Sequence, residues 1–188
     1  MNCNPFTLGH KYLVEYAASK CAHLFIFVVE EDKSVFPFAD RIELVRKGTS
    51  HLQNVTVLPS GKFIISQLTF EEYFVKSSIQ DTTIDPSMDV ELFATQIAPE
   101  LGITVRFAGE EPLDKVTMQY NNSMRQILPK YGIEFEEIPR KEFDGGVISA
   151  SRVRACLKDN DFETISKIVP STTLEYLKEN YKELIKKL

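Results

Sequence analysis

Near the start of the chain, Thr7, Gly9, His10 and Lys11 stand close together after Asn4, Pro5 and Phe6. Pro5 stiffens a turn. Thr7 is a helix-capping type, and a capped helix start has amides free to meet anionic oxygens. Gly9 has no Cβ, so a ligand can approach the backbone closely. His10 then falls in the first helical turn, where an imidazole or imidazolium donates hydrogen bonds to charge developing on a displaced phosphate group. A second run, "DGGVISASRVR", begins at Asp144. Gly145 and Gly146 make a flexible turn, and Ser149 and Ser151 suit the N-terminus of a following helix. Arg154 lies one turn in, where a guanidinium clamps phosphate oxygens. Arg152 is the outward-facing alternative. Taken singly, each run equally describes a plain capped helix with solvent-facing His or Arg side chains.

Both runs need elements to hold them. Apolar spacing predicts a helix over 10–21 and a strand in "HLFIFVVEE", whose unbroken apolar run suits burial on both faces. "ADRIELVRKGTSHL" reads as a helix and "NVTVLPSG" as a strand, with "FIIS" as a short extension. "DPSMDVELFATQIAPELG" is a helix with an Asp-Pro start and a Gly stop. The strand "ITVRFAGEE", the helix "KVTMQYNNSMRQILPKYG" and the strand "IEFEEIPR" follow. Three helices close the chain, over 149–160, 162–169 and 171–188. The alternation predicts an α/β, Rossmann-like, doubly wound parallel sheet with a helical C-terminal cap. Ligands of such sheets bind beyond the carboxyl ends of the strands. The segments 4–11, 30–41, 59–62, 108–112 and 144–154 are therefore the ones to search.

The 188 residues amount to about one domain, expected as 1–146 (the α/β core) and 147–188 (the helical part). Lys and Arg total 22 against 27 Asp and Glu, a net charge of −5, which argues against nucleic-acid or anionic-membrane binding. Three cysteines, with no C-x-x-C pair, predict neither a disulfide framework nor a zinc site. They fit a reducing compartment, and with no signal peptide or membrane span the expected location is the cytoplasm.

Together, T-x-G-H on the first βα turn and I-S-x-S-x-x-R after the last strand resemble the nucleotidyltransferase superfamily, with its signatures H/T-x-G-H and I-S-S/T-x-x-R/K. Longer segments, "NCNPFTLGH", "FPFADRIELV", "RFAGEEP" and "TMQYNNSMRQILPKYGIEFEEIPRK", are similar to the [citrate (pro-3S)-lyase] ligase family. That resemblance implies an acid–thiol ligation. ATP and acetate would give acetyl-adenylate and pyrophosphate, usually with Mg²⁺. The acetyl group would pass to the phosphoribosyl-dephospho-CoA thiol on the acyl-carrier subunit of citrate lyase. His10, Lys11 and Arg154 would be catalytic. ATP would meet Asn4, Pro5, Phe6, Thr7, Gly9, His10, Gly109, Glu110, Ile148, Ser149, Ser151 and Arg154.

Other residues keep two readings. Arg41, Tyr120 and Asn121 are candidate substrate or phosphate contacts, or else a surface arginine paired with Asp40 or Glu43 and packed helix residues. Glu110 or Glu111 would position metal or accept hydrogen bonds, or else be solvated acids. Glu30, Glu31 and Asp32 read the same way, as Mg²⁺ ligands or a solvated turn. His23 and His51 read as structural or surface residues. The family also implies an acetyltransferase-like domain upstream and a longer first strand, so Met1 is expected to be an internal residue of a longer ancestor. Two other functions remain open: an adenylyltransferase acting on a nucleotide or pantetheine-type phosphate, and a nucleotide-binding module without turnover.

Overall fold

The computed structural model describes residues 1–30, 34–66, 68–70, 85–111 and 114–188. It divides into two compact units, Met1–Pro59 with Arg140–Leu188, and Ser60–Pro139.

In the first unit, α1 (Leu8–Lys20) leads to β1 (Leu24–Val28), α2 (Phe38–Thr49) and β2 (Val55–Pro59). β1 and β2 pair in parallel from Leu24 opposite Val55 to Val28 opposite Pro59. The connection between them is too long for a hairpin and contains a helix, which is what parallel pairing requires. Ile26 and Val28 of β1 are buried with Phe6, Val14, Ile42 and Val45. Met1 adds to the parallel ladder on β1: its amine donates to the Phe27 carbonyl, and its own carbonyl accepts from Val29 N at 2.9 Å. Met1 alone thus supplies these two strand-type hydrogen bonds.

The same unit resumes with a short antiparallel hairpin, β5 (Glu142–Phe143) and β6 (Gly146–Val147). Its two turn residues are Asp144 and Gly145, with φ of 53° and 66°. Positive φ at both centres is the turn that matches strand twist, and Asp-Gly is a favoured pair for it. The turn is therefore made by Asp144 and Gly145, while Gly146 lies in the strand. Then come α6 (Ala150–Lys158), α7 (Phe162–Ile168), α8 (Ser171–Glu179) and α9 (Tyr181–Ile185). They enclose Phe36, Ile148, Val153, Leu157, Ile165, Ile168, Leu177 and Leu184. The run 171–188, expected as one helix, breaks at Asn180. There the Asn180 side chain donates to the Tyr176 carbonyl at 2.9 Å, a local bond that competes with helix continuation.

The second unit contains α3 (Ser87–Leu92), a π-helical stretch (Phe93–Ile97), α4 (Ala98–Leu101), β3 (Val105–Gly109), α5 (Lys115–Ile127), a 3₁₀ turn (Leu128–Tyr131) and β4 (Glu134–Ile138). β3 and β4 pair in parallel, from Val105 opposite Glu134 to Gly109 opposite Ile138. The helix expected over 85–102 forms with a wide turn inside it. Pro99 has no N–H to donate and its ring crowds the carbonyl four residues back, which the wider π turn accommodates. The segment "FIIS" is not a strand: Ile65 has φ of +49°, outside the extended region.

No helix of the described residues is long and apolar enough to cross a membrane. Cys3, Cys21 and Cys156 are free thiols, and burial pushes the Cys3 thiol up to about 11.

Candidate phosphate site at two helix N-termini

The turn before α1 is fixed from both ends. The Asn4 side-chain oxygen accepts from Phe36 N at 3.1 Å, and the Asn4–Pro5 peptide is cis. Phe6 is buried against α2, where a side chain at Gly48 would enter the Phe6 ring. Thr7 is the N-cap: its hydroxyl accepts from His10 N at 3.3 Å. In return, Thr7 N donates to His10 Nδ1 at 3.1 Å. This is a capping box with histidine in the place usually held by Glu or Gln.

The box settles the histidine's chemistry. A backbone N–H only donates, so Nδ1 accepts and carries no proton. In neutral imidazole the proton is then on Nε2, which remains a donor. Burial first, and then the positive charges of the chain's amine and Arg140, push His10 down from the usual 6.5 to about 4. His10 is therefore uncharged at neutral pH and held as its Nε2–H tautomer. Phe6 stacks on it with ring centroids 5.9 Å apart, which fixes the ring plane.

The second motif reaches the first through two contacts. Ser149 caps α6 by accepting from Arg152 N at 3.1 Å, with Ile148 buried just before it. A Cβ on Gly9 would stand 2.8 Å from the Ile148 carbonyl oxygen. On the side where its Cβ would stand, Gly9 is thus approached by the chain itself. Arg154 Nη1 donates to the Asn4 carbonyl at 2.6 Å, and Nη2 to Ser151 Oγ at 3.0 Å. Burial lowers the Arg154 pKa, although guanidinium remains charged at any ordinary pH. Arg152 is taken up by the hairpin, donating to the Phe143 carbonyl at 2.8 Å and the Gly146 carbonyl at 3.4 Å. The N-termini of α1 and α6 therefore meet, with His10 and Arg154 beside them. Free amides, two dipole ends and a guanidinium favour an anion there.

Several expected contacts have other duties. Arg41 is neither a surface arginine nor open to a ligand: it is 0% exposed. Its Nε donates to the Phe36 carbonyl at 2.9 Å and its Nη1 to the carbonyls of Asn2 and Val29, each at 2.8 Å. It ties Met1–Cys3, the end of β1 and the start of α2 together. Lys11 lies 3.7 Å from Glu15 on the next turn of α1. His23 contacts Thr56 Oγ1 at 2.9 Å, and His51 contacts Glu15 at 2.9 Å.

In the second unit, Tyr120 and Asn121 are buried and hydrogen-bonded within the chain, as packed helix residues are. Tyr120 OH donates to Asp89 at 2.6 Å. Asn121 Nδ2 donates to the Gly109 carbonyl at 3.0 Å and to Glu137 at 2.7 Å. Gly109 ends β3, and Glu110 N donates to the Ile138 carbonyl at 2.9 Å. Glu111 accepts from Asp114 N at 3.3 Å. Glu31 and Asp32 lie outside the described residues. Among the described residues no three His, Cys, Asp or Glu side chains gather as a metal site.

Sequence reasoning missed Arg140, Asn2 and Asp89. Arg140 follows β4 and its charge acts on His10; the signal was its place just past a strand's carboxyl end. Nothing local marked Asn2 or Asp89, whose partners are remote in sequence.

Parallel strand pairs joined through helices, with two capped helix starts meeting at T-x-G-H and I-S-x-S-x-x-R, define a nucleotidyltransferase-type α/β fold. The family model of the citrate lyase ligase C-terminal domain matches residues 1–177, and the chain belongs to that family. It is 44% identical over 182 residues to "[Citrate [pro-3S]-lyase] ligase" of Escherichia coli (strain K12), covering 94% of this chain and 52% of that protein. The protein of the same name from Klebsiella pneumoniae is 42% identical over 181 residues, covering 94% and 53%. A phosphopantetheine adenylyltransferase of Clostridium botulinum (strain Eklund 17B / Type B) is 23% identical over 167 residues, 80% of this chain and 94% of that one. The chain spans about half the length of the citrate lyase ligases it matches.

Proposed function

We propose that this chain carries the adenylate-forming site of an acetate:citrate lyase ligase. The observation that carries the reading is the contact between the two motifs. Gly9 against Ile148, and Arg154 against Asn4, bring two helix N-termini to one place. ATP would lie with its phosphates on these amides, contacting Thr7, Gly9, His10, Ser149, Ser151 and Arg154. Asn4, Pro5, Phe6 and Ile148 would shape the turn beneath it.

Two balanced steps follow. An acetate oxygen attacks the α-phosphorus; that O–P bond forms, the bond to the β-phosphate oxygen breaks, and pyrophosphate leaves. The carrier thiol, its proton lost to solvent, then attacks the acyl carbon. The S–C bond forms, the C–O bond to AMP breaks, and the thioester is released. The chain provides no nucleophile. Neutral His10 transfers no proton: its Nε2–H donates to the oxygens on which charge grows as pyrophosphate departs. Arg154, and Lys11 from the next position on α1, supply positive charge. Preorganised donors of this kind are worth ~100-fold or more each. Mg²⁺ would supply charge neutralisation on the triphosphate. The described residues offer it no cluster of three ligands, so no step is assigned to a protein-bound ion.

The partner is the acyl-carrier subunit with its phosphoribosyl-dephospho-CoA arm. The test is ATP–pyrophosphate exchange with and without acetate. Acetate-dependent exchange supports the reading. Exchange that ignores acetate and answers to 4′-phosphopantetheine would replace it with the adenylyltransferase alternative, and ATP binding without exchange would leave a binding module.

A further inference from the structure

Arg140 and Lys141 lie outside both phosphate motifs, and the reaction proposed above gives them no part. Arg140 comes two residues after Ile138, the last residue of β4. The carboxyl ends of strands are where parallel α/β folds bind ligands. Both residues belong to the same unit as α1 and α6.

The hairpin fixes where they stand. β5 and β6 pair Glu142 with Val147 and Phe143 with Gly146. Ile148 N donates to the Lys141 carbonyl at 3.0 Å, which carries the same register one step further. One more step puts Arg140 level with Ser149, the N-cap of α6. On the other side of Ile148 is α1, since the Ile148 carbonyl oxygen is 2.8 Å from where a Cβ on Gly9 would stand. The Lys141 side chain reaches the same helix: its ammonium lies 5.7 Å from the centroid of the Tyr12 ring. Arg140 is half-buried, and its positive charge is one of those that hold His10 below its usual range. A guanidinium thus stands within electrostatic reach of both helix N-termini.

The chemistry calls for a cation at that place. Negative charge grows on an already polyanionic group as pyrophosphate departs, and His10 is neutral and brings one N–H. Attacking and leaving oxygens are in line, so acetate and pyrophosphate lie on opposite sides of the α-phosphorus. A cation beside His10 and the start of α6 therefore serves the leaving group and not the acetate. Arginine suits the task, because its planar fork matches a pair of phosphate oxygens.

We infer that Arg140 is a further catalytic residue of this site, donating to the β- and γ-phosphate oxygens that leave as pyrophosphate. Lys141, whose ammonium is turned onto Tyr12, takes no part in the contact. The assignment rests on the adenylation reading above and concerns its first step. Arg140 forms no covalent bond and transfers no proton.

Pyrophosphate is itself a substrate in ATP–pyrophosphate exchange, so its KM reports the contact. Arg140→Ala should raise KM for pyrophosphate ~10-fold or more and lower exchange at saturation, with KM for acetate within about twofold of wild type. Arg140→Lys keeps the charge without the fork and should recover part of the loss. Lys141→Ala removes the same charge one residue away and should stay within about twofold of wild type, as an exposed cation does. Should Arg140→Ala fail to fold, Arg140→Gln carries the same expectation. An unchanged KM for pyrophosphate in a folded variant overturns the assignment. So does a rise confined to acetate, an equal loss in Lys141→Ala, or a loss that tracks melting temperature. Wild-type chain without acetate-dependent exchange removes the adenylation reading. Calorimetric titration with ATP then decides the fate of Arg140, whose assignment falls if wild type and Arg140→Ala bind equally and stands as a phosphate contact if the variant binds more weakly.

Discussion

His10 holds two jobs that substitution can separate. Its Nδ1 accepts from Thr7 N at 3.1 Å and so completes the cap of α1, while its Nε2–H is the donor assigned to the departing pyrophosphate. His10→Ala removes both. Losing half of a capping box costs ~1 kcal/mol, which for a chain of this size lowers Tm by about 2–4 °C. The lost donor should slow adenylation ~100-fold, equivalent to about 2.7 kcal/mol. His10→Gln separates the two. Gln is a natural partner in a capping box, and with its oxygen on Thr7 N its amide nitrogen does not reach where imidazole Nε2 stands. Its Tm should return to within about 1 °C of wild type on the same scaling, while exchange stays at least tenfold down, a fraction of the donor's full worth. Thermal melts and acetate-dependent pyrophosphate exchange measure the pair. Full recovery of exchange in His10→Gln would show that histidine acts only as a cap. Acid stability gives an independent reading. Burial depresses the folded pKa to about 4 from the usual 6.5. Between those values the unfolded chain binds the extra proton, so stability falls as pH drops through that window. The slope contributed by His10 should vanish in His10→Gln.

Three more outcomes follow from the same contacts. Gly9→Ala places a Cβ 2.8 Å from the Ile148 carbonyl; the backbone must part, costing ~1–3 kcal/mol by chemical denaturation and lowering exchange because the two helix N-termini separate. Arg154→Lys keeps the charge but not the fork that spans the Asn4 carbonyl and Ser151. It should raise KM for ATP and lower kcat together with little change in Tm, and unchanged kinetics would remove Arg154 from the site. Arg41→Ala strands buried carbonyls at Asn2, Val29 and Phe36. It should cost ~3 kcal/mol or more, and Arg41→Lys, lacking the planar fork, should recover little of it.

The periodic segments were legible because their cause is local. The unbroken apolar run of β1, the Gly102 and Gly132 stops and the Ser149 cap each follow from residue type within a few positions. The break at Asn180 and the π turn before Pro99 were also written locally, in a side chain and a missing N–H, but helical spacing masked them. "FIIS" misled for the opposite reason. Its composition favours a strand, while a carboxylate more than twenty positions away holds Ile65 out of the extended region.

The sequence by itself determined the elements, their parallel α/β pattern and the two phosphate motifs, because spacing, capping and backbone preference act over a few residues. Only the tertiary structure decided what those residues touch. It set the Ile148 carbonyl against Gly9, and turned Arg41 from a surface cation into a buried tie between chain segments. It chose Arg154 over Arg152 for the turn at Asn4, and it set His10 in its neutral Nε2–H form. Each of these outcomes depends on desolvation and on hydrogen-bond partners, some of them supplied by remote parts of the chain, which no local pattern encodes.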